Sequence, residues 1–206
     1  LCSPPGRGAS GAGSPAGDGP AARVRRIGEA DLACVEGMLL GMHAREKGAE
    51  AAARLDAALA LDPDREEAHA WTYYVYAEQG KWSEAEAACT RALERDRGYL
   101  PHWINRSEAR SRLASVEASK RRDPTALAAA AIAALDDALT LDPGAADSWL
   151  RRALVHHNRA RDRMAAGEPP GADLDAALAD YARAGELDPG SAEIWMRRGG
   201  LLASRA

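Results

Sequence analysis

The residues of this chain that could do chemistry are two adjacent histidines, three cysteines and a cluster of arginines. His156 and His157 are the most tempting pair for a metal. Neighbours on a helix point about 100° apart, so they do not chelate one ion as an i, i+4 pair does. His43, His69 and His102 have no partner at a useful spacing. Cys2, Cys34 and Cys89 are widely separated and form no CxxC or Cys/His zinc spacing. They read as small structural thiols of a reducing compartment. There is no Gly-rich phosphate loop, GxSxG or HExxH. The expectation is a non-catalytic protein with no metal and no cofactor.

The arginines invite a nucleic-acid reading. Segment 146–164 carries Arg151, Arg152, Arg159, Arg161 and Arg163 against Asp147 and Asp162. The next helical segment, 173–188, carries Asp173, Asp175, Asp180, Glu186 and Asp188 against Arg183. Opposite charge on consecutive helices reads as pairing within the chain, each pair worth about 0–1 kcal/mol at an exposed surface. Net charge is −4, and no aromatic–basic stacking platform is evident, so nucleic-acid binding is the weakest of the readings. No stretch reaches the roughly 18 apolar residues of a membrane span. The expected location is the cytoplasm. The missing initiator Met predicts a native start further upstream, with room there for a targeting signal.

These residues need a scaffold, and the composition says which kind. The chain is 46% hydrophobic with Phe absent, and Ala and Leu dominate, a bias towards helix. Residues 1–21 differ: thirteen of the first twenty are Gly, Pro or Ser, which predicts a disordered linker to a preceding domain. Residues 22–206 are helical in pattern and repetitive. Leu-Asp-Pro occurs at 61–63, 141–143 and 187–189, and Asp96-Arg97-Gly98 is a degenerate copy. Trp103, Trp149 and Trp195 lie 46 residues apart, each opening a Trp-x-x-Arg-small phrase with Arg106, Arg152 and Arg198. Pro143 and Pro189 stand six residues before their Trp.

Small residues recur seven apart in each second helix: Ala51 and Ala58, Ala85 and Ala92, Ala131 and Ala138, Ala177 and Ala184. Seven residues is two turns, so each pair shares a face and lets a neighbouring helix approach. Pro63, Pro143 and Pro189 close those helices. Asp123-Pro124 reads as an N-cap followed by proline at the first helical position. The tryptophans read as core wedges whose truncation costs roughly 3–5 kcal/mol.

A helical hairpin with an early Trp, a small residue four positions on, Gly at the turn, two alanines and a closing Pro resembles the tetratricopeptide repeat. The clearest unit is 66–99, with Gly80, Trp82, Glu84-Ala85 and Ala92-Leu93. The resemblance implies an all-α, right-handed superhelical solenoid of antiparallel helix hairpins. Its units fall at about 28–65, 66–99, 100–145 and 146–191, with an incomplete unit at 192–206. Departures are His69 at the aromatic position, Trp71 two residues late, Tyr73 at the small position and Arg97 for the closing Pro. The 100–145 and 146–191 units carry twelve extra residues each, read as longer helices plus loops at about 116–124 and 164–173. Trp195, Leu201 and Leu202 are expected to lack a covering second helix, which predicts a continuing chain or an end-to-end contact there.

The resemblance also implies a concave face of first helices that grips a peptide or a partner helix. Carried over, it contributes Tyr74, Ala77 and Glu78, then Ile104, Glu108, Ser111 and Arg112, then Leu150, Leu154, His157 and Asn158. The Lys/Asn set that holds a C-terminal carboxylate is unmatched, since Tyr74, Glu108 and Leu154 occupy those positions. The first expectation is therefore a protein-interaction scaffold. The second is a regulatory or substrate-docking appendage of a larger enzyme, such as a bacterial serine/threonine kinase, whose attached arrays carry similar long repeats. Nucleic-acid binding through the arginine-bearing helices is the third.

Overall fold

The computed structural model describes residues 20–205. The expected linker falls outside these residues except for Pro20 and Ala21, which open the first helix. Nine helices follow among the described residues: α1 Pro20–Gly41, α2 Ala44–Leu61, α3 Glu66–Glu78, α4 Trp82–Arg95, α5 Leu100–Ser119, α6 Thr125–Leu141, α7 Ala146–Ala165, α8 Gly171–Leu187 and α9 Ala192–Arg205. Each packs on the next, and α1, α3, α5 and α7 also touch one another in series. The odd-numbered helices therefore form one layer and the even-numbered helices a second, as in a stack of hairpins.

The alanine pairs explain the close stacking. Ala51, Ala58, Ala85, Ala92, Ala131, Ala138, Ala177 and Ala184 are all buried, at 1% exposure or less. Larger side chains fill the space between layers, among them Leu55, Val75, Leu135 and Tyr181. The linkers between hairpins are uniform. Asp62, Asp96, Asp142 and Asp188 each cap an even-numbered helix, donating a backbone N–H to the carbonyl of Ala58, Ala92, Ala138 and Ala184. Asp96 and Asp142 also accept the N–H of Gly98 and Gly144 at 2.6 and 2.8 Å. This side-chain turn forms with Arg97 where the other linkers have Pro, so the proline is dispensable to the bend.

The extra residues of the later units lengthen helices more than loops. The α3–α4 hairpin has helices of 13 and 14 residues, whereas α5–α6 and α7–α8 each have 20 and 17. The expected loops shrink to 120–124 and 166–170, because α5 and α7 run one to two turns past the family pattern. Asp123 Oδ1 accepts the Thr125 N–H at 2.8 Å, so the capping bond is made with the helix starting after Pro124. Three positions after the first helices adopt positive φ: Gly80 at 68°, Gly167 at 76° and Arg121 at 57°. Arg121 stands 46 residues before Gly167, at the same repeat position, where glycine is the favoured residue.

Candidate functional site

The Trp-x-x-Arg phrase is a latch across each linker. Trp103, Trp149 and Trp195 donate their indole Nε1–H to the carbonyls of Arg97, Pro143 and Pro189 at 2.9, 2.9 and 3.0 Å. His69 stands at the same position and its Nε2 meets the Pro63 carbonyl at 2.9 Å. The acceptor is backbone, so any residue at position 97 supplies it. The arginine three residues on lies over its own indole: Arg106, Arg152 and Arg198 sit 5.9, 4.6 and 5.7 Å from the ring centroids. The expectation of buried wedges holds for Trp103 alone. Trp149 is half-buried and Trp195 is 44% exposed, although all three indoles make the same linker bond. Leu201, expected to lack cover, is buried in a cluster with Ala153, Ala177 and Tyr181, whereas Leu202 is exposed.

The charged helices pair partly with each other and partly elsewhere. Arg152 spans Asp180 and Asp136, at 2.7 and 2.6 Å. Arg159 pairs with the buried Asp173, which also meets His156 at 3.3 Å and Arg163 at 3.4 Å. Burial would raise the Asp173 carboxyl, but hydrogen bonds from Arg159 and His156 outweigh it and hold the group below its ordinary range. Arg151 instead meets Asp147 and Glu108, Arg161 lies beside Asp162, and Arg183 pairs within α8 with Glu186. Arg106 and Arg110 share Glu86. The arginines of α7 are thus all engaged by carboxylates. No cluster of three or more His, Cys, Asp or Glu side chains suits a metal among the described residues. Cys34 and Cys89 are free and buried, and burial pushes the Cys89 thiol up to about 12, so the thiol form persists.

A groove of about 360 Å³ runs across the odd-numbered layer between α5, α7 and α9. It brings together Glu108, Ser111, Arg112, Leu150, Leu154 and Asn158 from the expected set. It adds Arg151 and Asp147 on α7 and Glu193 and Arg197 on α9. These two pairs stand at i, i+4, a spacing legible in sequence as helix-surface pairing. Glu108 bridges two helices, accepting from Arg112 at 2.8 Å and Arg151 at 3.1 Å. Arg112 also lies 5.6 Å from the Trp82 ring. Burial, then the Glu108 carboxylate, raises the neighbouring Tyr73 phenol well above its ordinary range.

The other expected residues lie elsewhere. Tyr74 and Glu78 line a separate recess with Met42, His43 and Arg45 at the α1–α2 turn. Ile104 packs against the Leu93–Trp103 cluster. Ala77 and His157 lie outside the groove lining, and His157 is lowered by burial and then by Arg161 and Arg197. These residues belong to the short α3 and to positions of α5 and α7 that face away from the groove lining.

The layered hairpins, their latched linkers and the groove across their first helices define a tetratricopeptide-type array. Residues 42–104 match the tetratricopeptide repeat family in sequence. No curated protein matches the chain in sequence. Among solved structures it is similar to MamA 41-end from Desulfovibrio magneticus RS-1. That match has a TM-score of 0.64 and 12% identity, over 86% of this chain and 85% of that one. It is similar to TTC0263, a thermophilic TPR protein of Thermus thermophilus. There the TM-score is 0.50 and the identity 23%, over 82% of this chain and 99% of that one. It is also similar to YrrB, described as a TPR protein with an unusual peptide-binding site. That match has a TM-score of 0.50 and 20% identity, over 89% of this chain and 77% of that one. At these identities the likeness shows the fold alone. No described helix is long and apolar enough to cross a membrane.

Proposed function

We propose that the chain is a non-catalytic protein-interaction scaffold that holds a peptide or partner helix in the α5–α7–α9 groove. The observation that carries this reading is the groove itself, built from three successive repeats with Leu150 and Leu154 among paired charges. Concave, mostly preformed surfaces with a few fixed polar groups are where binding concentrates. Arg112, Arg151 and Arg197 are each matched by Glu108, Asp147 or Glu193, so the groove offers polar positioning around an apolar strip. The peptide-binding site ascribed to YrrB is consistent with this use of the fold.

The test is panning of a displayed random-peptide library on the full chain and on a Leu154→Glu variant. Enrichment of peptides that lose at least tenfold in affinity for the variant supports the proposal. Enrichment of peptides indifferent to Leu154 and to Arg112→Glu refutes it.

A further inference from the structure

Helix α1, the first of the described helices, carries an apolar face outside the hairpin stack. The fully buried residues that it turns towards α2 and α3 are small: Ala30, Cys34, Gly37 and Gly41. A Cβ at Gly37 would lie 2.6 Å from the Leu55 side chain, and one at Gly41 would lie 3.0 Å from Trp71. Met38 and Leu40 are half-buried against the core, but the other large apolar residues point outward. Val24, Ile27, Leu32, Val35, Leu39 and, just past the helix end, Met42 are 49–70% exposed. At 3.6 residues per turn they fall within an arc of about 140°. Half of the large hydrophobic side chains exposed among the described residues belong to this one stripe. Asp31, paired with Arg65, is the one charged residue within that arc, and an exposed apolar surface of this size marks an interaction surface rather than ordinary surface scatter.

We propose that α1 mediates an isologous dimer in which two copies of this chain pair their first helices antiparallel. The spacing carries the choice of occupant. Positions 28, 32, 35 and 39 are separated by four, three and four residues, a pattern that reads the same from either end. A two-fold axis between Leu32 and Val35 sets Leu32 against the partner's Val35, and Gly28 against the partner's Leu39. The large Leu39 side chain thereby meets the one stripe position without a side chain. Beyond its own helix backbone and chain neighbours, nothing lies within 4 Å of a Cβ built at Gly28, so that position is open to receive it. Self-complementarity of this kind is what an isologous interface requires. Complete burial of these six side chains would remove roughly 600 Å² per copy, or about 1,200 Å² in total, which reaches the lower bound of stable specific interfaces. The α5–α7–α9 groove uses other helices and remains free in the dimer.

The test is sedimentation of the full chain across a range of concentrations. The expected result is a concentration-dependent approach to twice the 21.8 kDa chain mass. Leu39→Glu, at a residue 59% exposed, should raise the dissociation constant at least tenfold with the helical circular dichroism unchanged. In a Cys2→Ser background, mixing Gly28→Cys and Leu39→Cys chains under mild oxidation should give a disulfide-linked pair. Leu39→Cys alone should not, because antiparallel pairing separates the two thiols by about eleven residues of helix, roughly 16 Å. A monomer at every concentration overturns the proposal. So does association that survives Leu39→Glu, or ready cross-linking of Leu39→Cys to itself.

Discussion

Acid should weaken this array well above the range where carboxylates titrate, and His102 should be the main cause. His102 is 2% exposed on α5, edge-on to Tyr99 at 4.6 Å and to His69 at 6.0 Å between ring centroids. Burial, then the proximity of His69, lowers it from 6.5 to about 4. The depressed value means that the folded chain resists a proton the unfolded chain accepts. Stability is therefore complete above about pH 6.5 and declines as pH falls towards 4. The difference of about 2.5 units gives a loss of about 2 kcal/mol at pH 5 and on the order of 3 kcal/mol at pH 4. For a chain of this size 2 kcal/mol corresponds to a fall in Tm of about 4–8 °C. Urea unfolding followed by circular dichroism between pH 7 and 4.5 measures the slope. His102→Phe should remove most of it. His157→Gln should remove less, since His157 is half-buried and its depression has the same sign. An unchanged slope in His102→Phe would refute the assignment.

Three further outcomes follow from the packing. Asp173→Asn leaves Arg159 facing a neutral group in a buried site and should cost about 3–5 kcal/mol in urea unfolding. The wild-type contribution of Asp173 should be present above about pH 4 and lost below it, because its folded value is depressed. Trp103→Phe should cost more than Trp195→Phe. Both lose one hydrogen bond worth about 1 kcal/mol, but Trp103 is 8% exposed and Trp195 44%. Arg121→Gly relieves a left-handed backbone at φ 57° and should raise stability by up to about 1 kcal/mol, read as a higher Tm.

The repeat register was legible because it rests on local chemistry. Alanines seven apart dictate close helix approach, and aspartates at helix ends dictate four-residue linkers whatever follows them. The Trp-x-x-Arg phrase was visible, but its meaning was not. A hydrogen bond from an indole to a carbonyl six residues back depends on a bend that the sequence pattern does not display. His69 shows the same point, since it departs from the aromatic pattern and still makes the bond. Half of the groove was readable by carrying repeat positions forward, as with Glu108, Leu150 and Leu154. Tyr74 and Glu78 line the recess beside the α1–α2 turn instead, a contact between neighbouring units that the repeat pattern does not display. Charge pattern alone matches Arg151 with the acids of α8, yet its pairing with Glu108 crosses to α5, a contact set by stacking rather than by hairpin pairing.

The groove claim is tested most directly by hydrogen exchange of the full chain with and without a peptide selected on it. The expected result is added protection concentrated in α5, α7 and α9, with α6 and α8 unchanged, and loss of that protection in Leu154→Glu. Protection confined to the even-numbered helices, or to α1, would contradict it.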